Sequence, residues 1–205
     1  PNGGEKWLGG STHNITFTAT DESGILPNSL SIWYSIDNGL TYPYLITSDA
    51  AVSSPYSWTL PVISTTEVKV KVMLKDNSPI QNAGTDESNA NFTIDSTAPT
   101  VTVTQPNGTE NILGGSSYNI LWTATDDQGM PDYPITLRYS TDGGSSWILI
   151  ASGEANDGTY SWSVPSINNT TVRVSVEAIN NVGLVGSDMS DANFTIDSTL
   201  PTSPE

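Results

Sequence analysis

The sequence contains no cysteine and only one histidine, His13, among 205 residues. The lack of cysteine excludes disulfides, thiolate zinc sites and cysteine nucleophiles. A Ser-His-Asp triad would depend on His13 alone, and the second copy of the repeat described below has Tyr118 in its place. Carboxylate pairs of the glycosidase type are available, but the acidic residues cluster at predicted strand ends rather than in an evident cleft. We therefore expect the protein not to be an enzyme.

Basic residues are also scarce, with 6 Lys and Arg against 22 Asp and Glu and a formal net charge of −16 at pH 7. Six scattered cations cannot form the basic patch that a phosphate backbone requires, so we expect no nucleic-acid partner. The same charge disfavours anionic lipid surfaces. No apolar run approaches the roughly 18 residues that cross a bilayer, and we expect no membrane insertion. An acidic surface attracts cations, which makes a divalent metal the cofactor to consider.

The main feature of the sequence is an internal repeat of about 100 residues. Pro1-Asn-Gly-Gly-Glu5 returns as Pro106-Asn-Gly-Thr-Glu110, and Asn91-Phe-Thr-Ile-Asp95 returns as Asn193-Phe-Thr-Ile-Asp197. The offset is 105 residues for the first pair and 102 for the second, so short deletions fall in loops. A unit of this size is a domain rather than a small solenoid repeat.

The two copies begin differently. The alternating run Val101-Thr-Val-Thr104 precedes the second copy and indicates a first strand, for which the first copy has no equivalent. The chain also continues past the second copy into a stretch that matches the linker after the first. We predict two domains, 1–99 and 100–205, joined by a short proline-containing linker, and we expect the first to lack its opening strand. We interpret the chain as a window of a longer array.

Apolar and polar residues alternate with a period of two throughout both copies. One such run places Ile15, Phe17 and Ala19 on one face, and another places Val68 and Val70 on one face between lysines and a glutamate. The 13 prolines and 17 glycines fall mostly at the ends of these runs, as expected of turns. About seven short strands per copy, with turn signals every 8–12 residues, predict an all-β protein of two tandem antiparallel β-sandwiches.

Each copy contains the pattern Ser-x-Asp-x-Gly-x-Ser/Thr-aromatic, which resembles the Asp-box, a β-hairpin motif of sialidases and many unrelated β proteins. The Asp side chain of such a turn caps backbone N–H groups, and the Gly adopts a positive φ. A sialidase propeller needs several hundred residues, so the resemblance implies no sialidase activity. The two occurrences are Ser35, Asp37, Gly39, Thr41 and Tyr42, and Ser140, Asp142, Gly144, Ser146 and Trp147.

The order of these motifs resembles the immunoglobulin-like and fibronectin III-like tandem repeats of prokaryotic cell-surface proteins. In both copies it runs from Pro-Asn-Gly through the Tyr-Ser-x-Asp-x-Gly hairpin and Tyr-Ser-Trp to Phe-Thr-Ile-Asp-Ser-Thr-x-Pro. The resemblance implies a structural segment of a secreted or cell-surface protein, which acts as a spacer, stalk, adhesin, or surface-layer or filament module. The partners it implies are neighbouring repeats, other copies of the chain, extracellular polysaccharide or a cell-surface protein.

Acidic and amide side chains concentrate in predicted loops, where they are candidate calcium ligands. In a sandwich of this topology two of these loops meet at one pole, toward which the last strand of the preceding domain leads. We hypothesise a Ca²⁺ site at each domain junction; the alternative is that these side chains only satisfy the backbone of their own turns. The candidates are Asp95, Asp126, Asp127, Asn180, Asn181 and Asp188 for the junction within the chain, and Asp21, Glu22, Asp76 and Asn77 for an equivalent site facing an upstream domain.

Two kinds of carbohydrate contact are also candidates. Trp33 is the best candidate for sugar binding, because Ile32 and Tyr34 occupy the inward face of the same strand; its counterpart is Arg138. Six Asn-x-Ser/Thr triplets are candidate glycan acceptors, with the asparagines of the last strands expected on the outward face. These six are Asn14, Asn91, Asn107, Asn168, Asn169 and Asn193.

Two other functions stay open alongside the structural one. The first is a carbohydrate-binding accessory module of a secreted enzyme. The second is a subunit of an extracellular filament, in which the domain that lacks its first strand takes a strand from another chain.

Overall fold

A computed structural model describes residues 1–199. All the regular secondary-structure elements in this range are β-strands, as the period-two alternation predicts. The chain divides into two compact units, unit 1 (Pro1–Thr97) and unit 2 (from Ala98 onward). Among the described residues there is no helix long and apolar enough to cross a membrane.

Unit 1 forms a large sheet and a small one. The large sheet has the order β1-β8-β6-β3-β4, with β7 also paired to β6, and the small sheet consists of β2 and β5. All these pairs are antiparallel except β1 with β8, which is parallel. The strands are β1 (Lys6–Leu8), β2 (Thr12–Ile15), β3 (Leu30–Ser35), β4 (Tyr44–Ala50), β5 (Tyr56–Thr59), β6 (Thr65–Lys75), β7 (Ala83–Glu87) and β8 (Phe92–Asp95).

Unit 2 repeats the large sheet strand for strand. Its order is β10-β17-β15-β12-β13, with β16 also paired to β15, and β10 runs parallel to β17. The second sheet has three strands in the order β14-β11-β9. The strands are β9 (Thr100–Gln105), β10 (Asn111–Leu113), β11 (Ser117–Thr125), β12 (Ile135–Ser140), β13 (Ile148–Glu154), β14 (Thr159–Ser163), β15 (Asn169–Ile179), β16 (Val185–Met189) and β17 (Phe194–Asp197).

Each unit buries one apolar core between its two sheets. In unit 2 the core joins Trp122 and Trp162 from the three-stranded sheet to Val174 and Phe194 from the large sheet. These residues are the inward members of alternating strands, so burial of one face explains the period of two. The strand order and the face-to-face packing are those of an immunoglobulin-like or fibronectin III-like β-sandwich.

The two units differ where β9 lies. Unit 2 pairs β9 with β11 as far as Thr125, whereas β2, the counterpart of β11, ends at Ile15. The prediction that the strand continues through Phe17 and Ala19 is therefore wrong: residues 16–21 form no strand. The physical reason is that a strand needs a hydrogen-bonded neighbour, and residues 1–97 contain no counterpart of β9.

Candidate functional site

The repeated Ser-x-Asp-x-Gly pattern builds the turn between β3 and β4. Asp37 Oδ1 accepts hydrogen bonds from the Ser35 hydroxyl at 2.5 Å and from the Thr41 amide at 3.0 Å. Ser35 Oγ in turn accepts the Gly39 amide at 2.9 Å. Asp142 makes the corresponding contacts between β12 and β13. The motif residues thus act on the backbone of their own turn.

These hydrogen bonds stabilise the charged form of the turn carboxylates. The Ser35 hydroxyl, followed by the hydroxyl and amide of Thr41, lowers the pKa of Asp37 from 3.8 to about 2. The hydroxyls of Ser140 and Ser146 also lower the pKa of Asp142, by a larger amount. Both carboxylates therefore stay ionised well into the acid range.

We expect the Asp37 turn to resist acid until the pH falls toward about 2. The pKa in the folded protein is below the ordinary value of 3.8, so the turn's stabilisation is complete above that value and disappears as the pH falls through about 2. An NMR titration of the Thr41 amide should show a midpoint near 2, and the Asp37→Asn variant should lack it. A midpoint near 4 in the wild-type protein would contradict the assignment.

Four of the predicted calcium ligands lie in adjoining loops of unit 2. Asn180 Nδ2 donates to Asp126 Oδ2 at 3.3 Å, and Asn180 Oδ1 accepts two backbone amides of its own turn. Asn181 Nδ2 donates to a backbone carbonyl of the turn at 126–129 at 2.9 Å. Asp127 is exposed, and its Oδ2 lies 3.3 Å from the side-chain amide of Gln128.

Asp188 has a role that sequence reasoning missed. It lies within β16, and its Oδ2 accepts the backbone N–H of Val103 in β9 at 2.7 Å. This hydrogen bond ties the edge strand of one sheet to the edge strand of the other. The counterpart in β7, Asp86, is exposed; its backbone pairs with Val72, but its carboxylate makes no hydrogen bond within residues 1–199. The sequence signal that could have pointed to this role is the occurrence of an aspartate at the same position of both copies, Asp86 and Asp188.

Three of the predicted ligands of unit 1 accept hydrogen bonds from residues of their own unit. Asp95 is fully buried at the end of β8, where its Oδ1 accepts from the Ser64 hydroxyl and the Thr97 amide. Asp76 accepts four hydrogen bonds from two residues of the 76–82 turn, and Asp21 accepts two from the next-but-one residue. The remaining candidates, Glu22 and Asn77, are exposed. Calcium binding by these groups stays a prediction.

The six candidate glycan acceptors have different surroundings. Asn14 is exposed on β2, whereas Asn91 Oδ1 is buried without a hydrogen-bond partner in the described chain. The side chains of the other four are engaged in hydrogen bonds: Asn107 with Asp191, Asn168 with the Ser198 amide, Asn169 with the Thr141 carbonyl, and Asn193 with Arg173. Asn14 is accordingly the acceptor with the fewest contacts to lose.

Trp33, the predicted sugar contact, is half-buried in β3. Its register partners are Leu45 on β4 and Lys71 on β6. At the counterpart position in unit 2, Arg138 forms an ion pair with Glu177. A sugar-binding role for Trp33 stays a prediction.

Trp7 and His13 of unit 1 pack together. Their rings are stacked with centroids 4.0 Å apart, and the Trp7 ring lies 5.2 Å from that of buried Phe92. Desolvation lowers the pKa of His13, and its Nε2 lies 2.9 Å from the Ser11 hydroxyl. Both rings therefore extend the core of unit 1 toward its surface.

Unit 1 also contains an open groove that the sequence analysis did not identify. Its volume is about 430 Å³, and its lining includes Phe17, Ala19, Leu74, Gly84 and Asp86. The groove lies between the stretch at residues 17–21 and β6 and β7, which is where β9 lies in unit 2. The groove could have been anticipated by comparing the two copies, because the sequence has a first strand in the second copy and none in the first.

A scan of protein-family models finds no match, and no curated protein matches the chain. Among solved structures, the fibronectin(III)-like modules of CbhA from Clostridium thermocellum are similar over 100% of this chain and 96% of theirs, at 19% identity and a TM-score of 0.43. A Ca²⁺-stabilized adhesin with which an Antarctic bacterium binds ice is similar over 94% of this chain and 46% of its own, at 17% identity and a TM-score of 0.44. The titin domains Z1Z2 in complex with telethonin give 16% identity, 96% and 92% coverage, and a TM-score of 0.31.

Proposed function

We propose that the chain is a structural segment of a secreted or cell-surface prokaryotic protein, and that its sandwiches bear tension along the polypeptide. The observation that carries the proposal is the parallel pairing of the first short strand of each large sheet with the last strand of the same unit. The order of motifs in both copies, which resembles prokaryotic surface repeats, supports the setting. The acidic, cysteine-free composition is compatible with it.

The parallel pair of unit 1 joins Lys6 to Thr93 and Leu8 to Asp95. Backbone hydrogen bonds extend the ladder at both ends, from Thr93 N to the Glu5 carbonyl at 2.8 Å and from Gly9 N to the Asp95 carbonyl at 2.9 Å. Because the strands are parallel, the chain enters the ladder at one end and leaves at the other. Tension along the chain therefore loads these hydrogen bonds in shear, so that they must break together.

Unit 2 has the same arrangement. Thr195 N donates to the Glu110 carbonyl and Gly114 N donates to the Asp197 carbonyl, both at 2.9 Å, on either side of the β10–β17 pair. Antiparallel terminal strands would instead place both chain ends at one end of the ladder, where hydrogen bonds open one at a time. The repetition of the shear geometry is what a spacer under tension requires.

Single-molecule pulling tests this proposal directly, since the chain has no native cysteine and attachment points can be chosen freely. Handles on Lys6→Cys and Thr97→Cys load the β1–β8 ladder in shear. Handles on Ser11→Cys and Thr97→Cys load the same ladder from one end and provide the matched control. We expect a clearly higher unfolding force for the first pair. Equal forces would show that the parallel ladder does not resist tension.

The proposal includes calcium as a stabilising ion, because the net charge of −16 and exposed carboxylates such as Asp127 favour cation binding. A hundredfold excess of Ca²⁺ over its Kd would add about 2.7 kcal/mol to the free energy of unfolding. Thermal melts in EDTA, Ca²⁺ and Mg²⁺ measure this effect as a Ca²⁺-specific rise in Tm. Asp127→Ala should reduce it, and this variant is cleaner than Asp95→Ala, which also removes hydrogen bonds to Ser64 and Thr97. No rise would assign the acids to turn capping alone.

A further inference from the structure

The groove of unit 1 exposes residues whose counterparts in unit 2 are buried. Trp122 and Ala124 of β11 are 3% and 8% exposed, whereas their counterparts Phe17 and Ala19 are half-buried and exposed. Val176 of β15 is fully buried, and its counterpart Val72 is only half-buried. Apolar side chains are thus uncovered along a strip of unit 1.

In unit 2 the strand β9 covers this strip. Val101 and Val103 point into the core, opposite Ala124 and Trp122 of β11. They are 9% and 1% exposed, so two β-branched side chains complete the core at this edge. The strand β9 therefore shows which kind of segment would cover the strip in unit 1: an extended one with two β-branched apolar side chains.

The first receptor for such a strand is a carboxylate. Asp188 takes the N–H of Val103 at 2.7 Å, which satisfies the outer edge of β9. Asp86 occupies the equivalent place on β7, opposite Val72, as Asp188 lies opposite Val176. Asp86 borders the groove, and its carboxylate makes no hydrogen bond with the described residues. It is positioned to accept the corresponding amide of an incoming strand.

The second feature is a glycine of unit 1 that neither its own backbone conformation nor a neighbouring atom requires. A Cβ on Gly186 would lie 1.7 Å from the carbonyl oxygen of Pro99, the residue before β9. Gly84, its counterpart, has nothing within 4 Å of the corresponding position and does not adopt a positive φ. Gly84 thus keeps open a space that no described residue fills.

The third feature fixes the direction of approach. Ser190 Oγ accepts the Val174 amide at 3.1 Å and donates to the carbonyl of Pro106, the residue that follows β9, at 2.8 Å. In unit 1, Ser88 accepts the Val70 amide at 3.0 Å and donates to the Pro1 carbonyl at 3.2 Å. Pro1 therefore lies where the end of a β9-type strand would arrive.

We propose that the groove of unit 1 is the seat of an extended segment with the chemistry of β9, and that this segment runs directly into Pro1. The residue three positions before Pro1 lies opposite Phe17, and the residue five positions before it lies opposite Ala19, as Val103 and Val101 do in unit 2. Both are β-branched and apolar, and the first donates its N–H to Asp86. The segment closes the sandwich of unit 1 and brings residues 16–20 into a sheet.

The test fuses a copy of residues 98–105, Ala-Pro-Thr-Val-Thr-Val-Thr-Gln, to Pro1 of the full chain. Hydrogen exchange followed by mass spectrometry reports the amides of residues 16–21, and residues 121–125 provide the internal reference. We expect exchange at 16–21 to slow by about a hundredfold, because two buried valines and a new ladder stabilise the closed form. No slowing would overturn the proposal.

Three variants distinguish specific binding of the fused segment in the groove from nonspecific association. Replacing both valines of the fused segment by aspartate should abolish the protection. Gly84→Val should leave the unfused chain unchanged, since its side chain enters open space, but should abolish the gain in the fused chain. Asp86→Ala should leave the unfused chain unchanged and reduce the gain about tenfold, as expected for loss of one hydrogen bond to a charged group. Full protection in the presence of Gly84→Val would contradict the assigned seat.

The source of the strand is tested with the same readout. The free eight-residue peptide at millimolar concentration should protect residues 16–21 more weakly than the fused segment does, because only the fused segment is held at high effective concentration. Protection by the free peptide without protection by the fused segment would identify a strand from another chain and overturn the continuous arrangement. Dimerisation of the unfused chain with protection of residues 16–21 would identify a second copy and overturn it as well.

Discussion

Replacement of Phe194 by alanine is expected to lower the free energy of unfolding of unit 2 by about 3–5 kcal/mol. Phe194 is 1% exposed, and it lies on β17 within the core formed by the two sheets of unit 2. The substitution removes a large apolar side chain and leaves a cavity that β-sheet neighbours on both sides cannot close. Urea denaturation measures the loss, and hydrogen exchange assigns it to unit 2.

The chain offers two matched controls for this prediction. Phe92→Ala changes the equivalent position, where the rings of Trp7 and Trp58 lie 5.2 Å and 6.4 Å away, and should produce a loss of similar size in unit 1. Leu113→Ala removes a 62% exposed side chain and should change stability by less than about 0.5 kcal/mol. A loss below about 1 kcal/mol for Phe194→Ala would mean that the core does not depend on this ring.

Ser190→Ala is expected to lower the free energy of unfolding by about 2–4 kcal/mol, although it removes a single hydroxyl. The Ser190 side chain is fully buried and satisfies both the amide of Val174 and the carbonyl of Pro106. Alanine leaves both groups without this partner, and a buried unsatisfied polar group costs roughly 1–3 kcal/mol. The free energy of unfolding from urea denaturation checks the value.

The matched substitution in unit 1 is Ser88→Ala. Ser88 makes the same two contacts, but it is slightly more exposed and its bond to the Pro1 carbonyl is longer, at 3.2 Å. We expect a smaller loss there, because solvent can replace part of what the hydroxyl provides. Equal losses, or a Ser190→Ala cost below about 0.5 kcal/mol, would contradict the role assigned to the hydroxyl.

The strands of the large sheets were predictable because each buries one face. Val68 and Val70 alternate with polar residues along β6, and the structure buries both. The turn role of Asp37 was also predictable, since its donors lie within four residues in sequence. In both cases the determining contacts are local or follow directly from the period of two.

The absence of a strand at Phe17 and Ala19 was not predictable from the alternation of these residues. Those residues have the pattern of β11, yet a strand exists only where a neighbour supplies hydrogen bonds. The role of Asp188 was hidden for a related reason, because its partner Val103 is 85 residues away. Alternation reports which face is apolar, but it does not report which edge is paired.

The presence of the same glycine, carboxylate and serine in both units has a consequence for the exchange of sequence between the two copies. Gly84, Asp86 and Ser88 match Gly186, Asp188 and Ser190 at a constant spacing of 102 residues. Exchange of sequence between the two copies in this register would therefore keep the glycine, the carboxylate and the serine together in one sandwich.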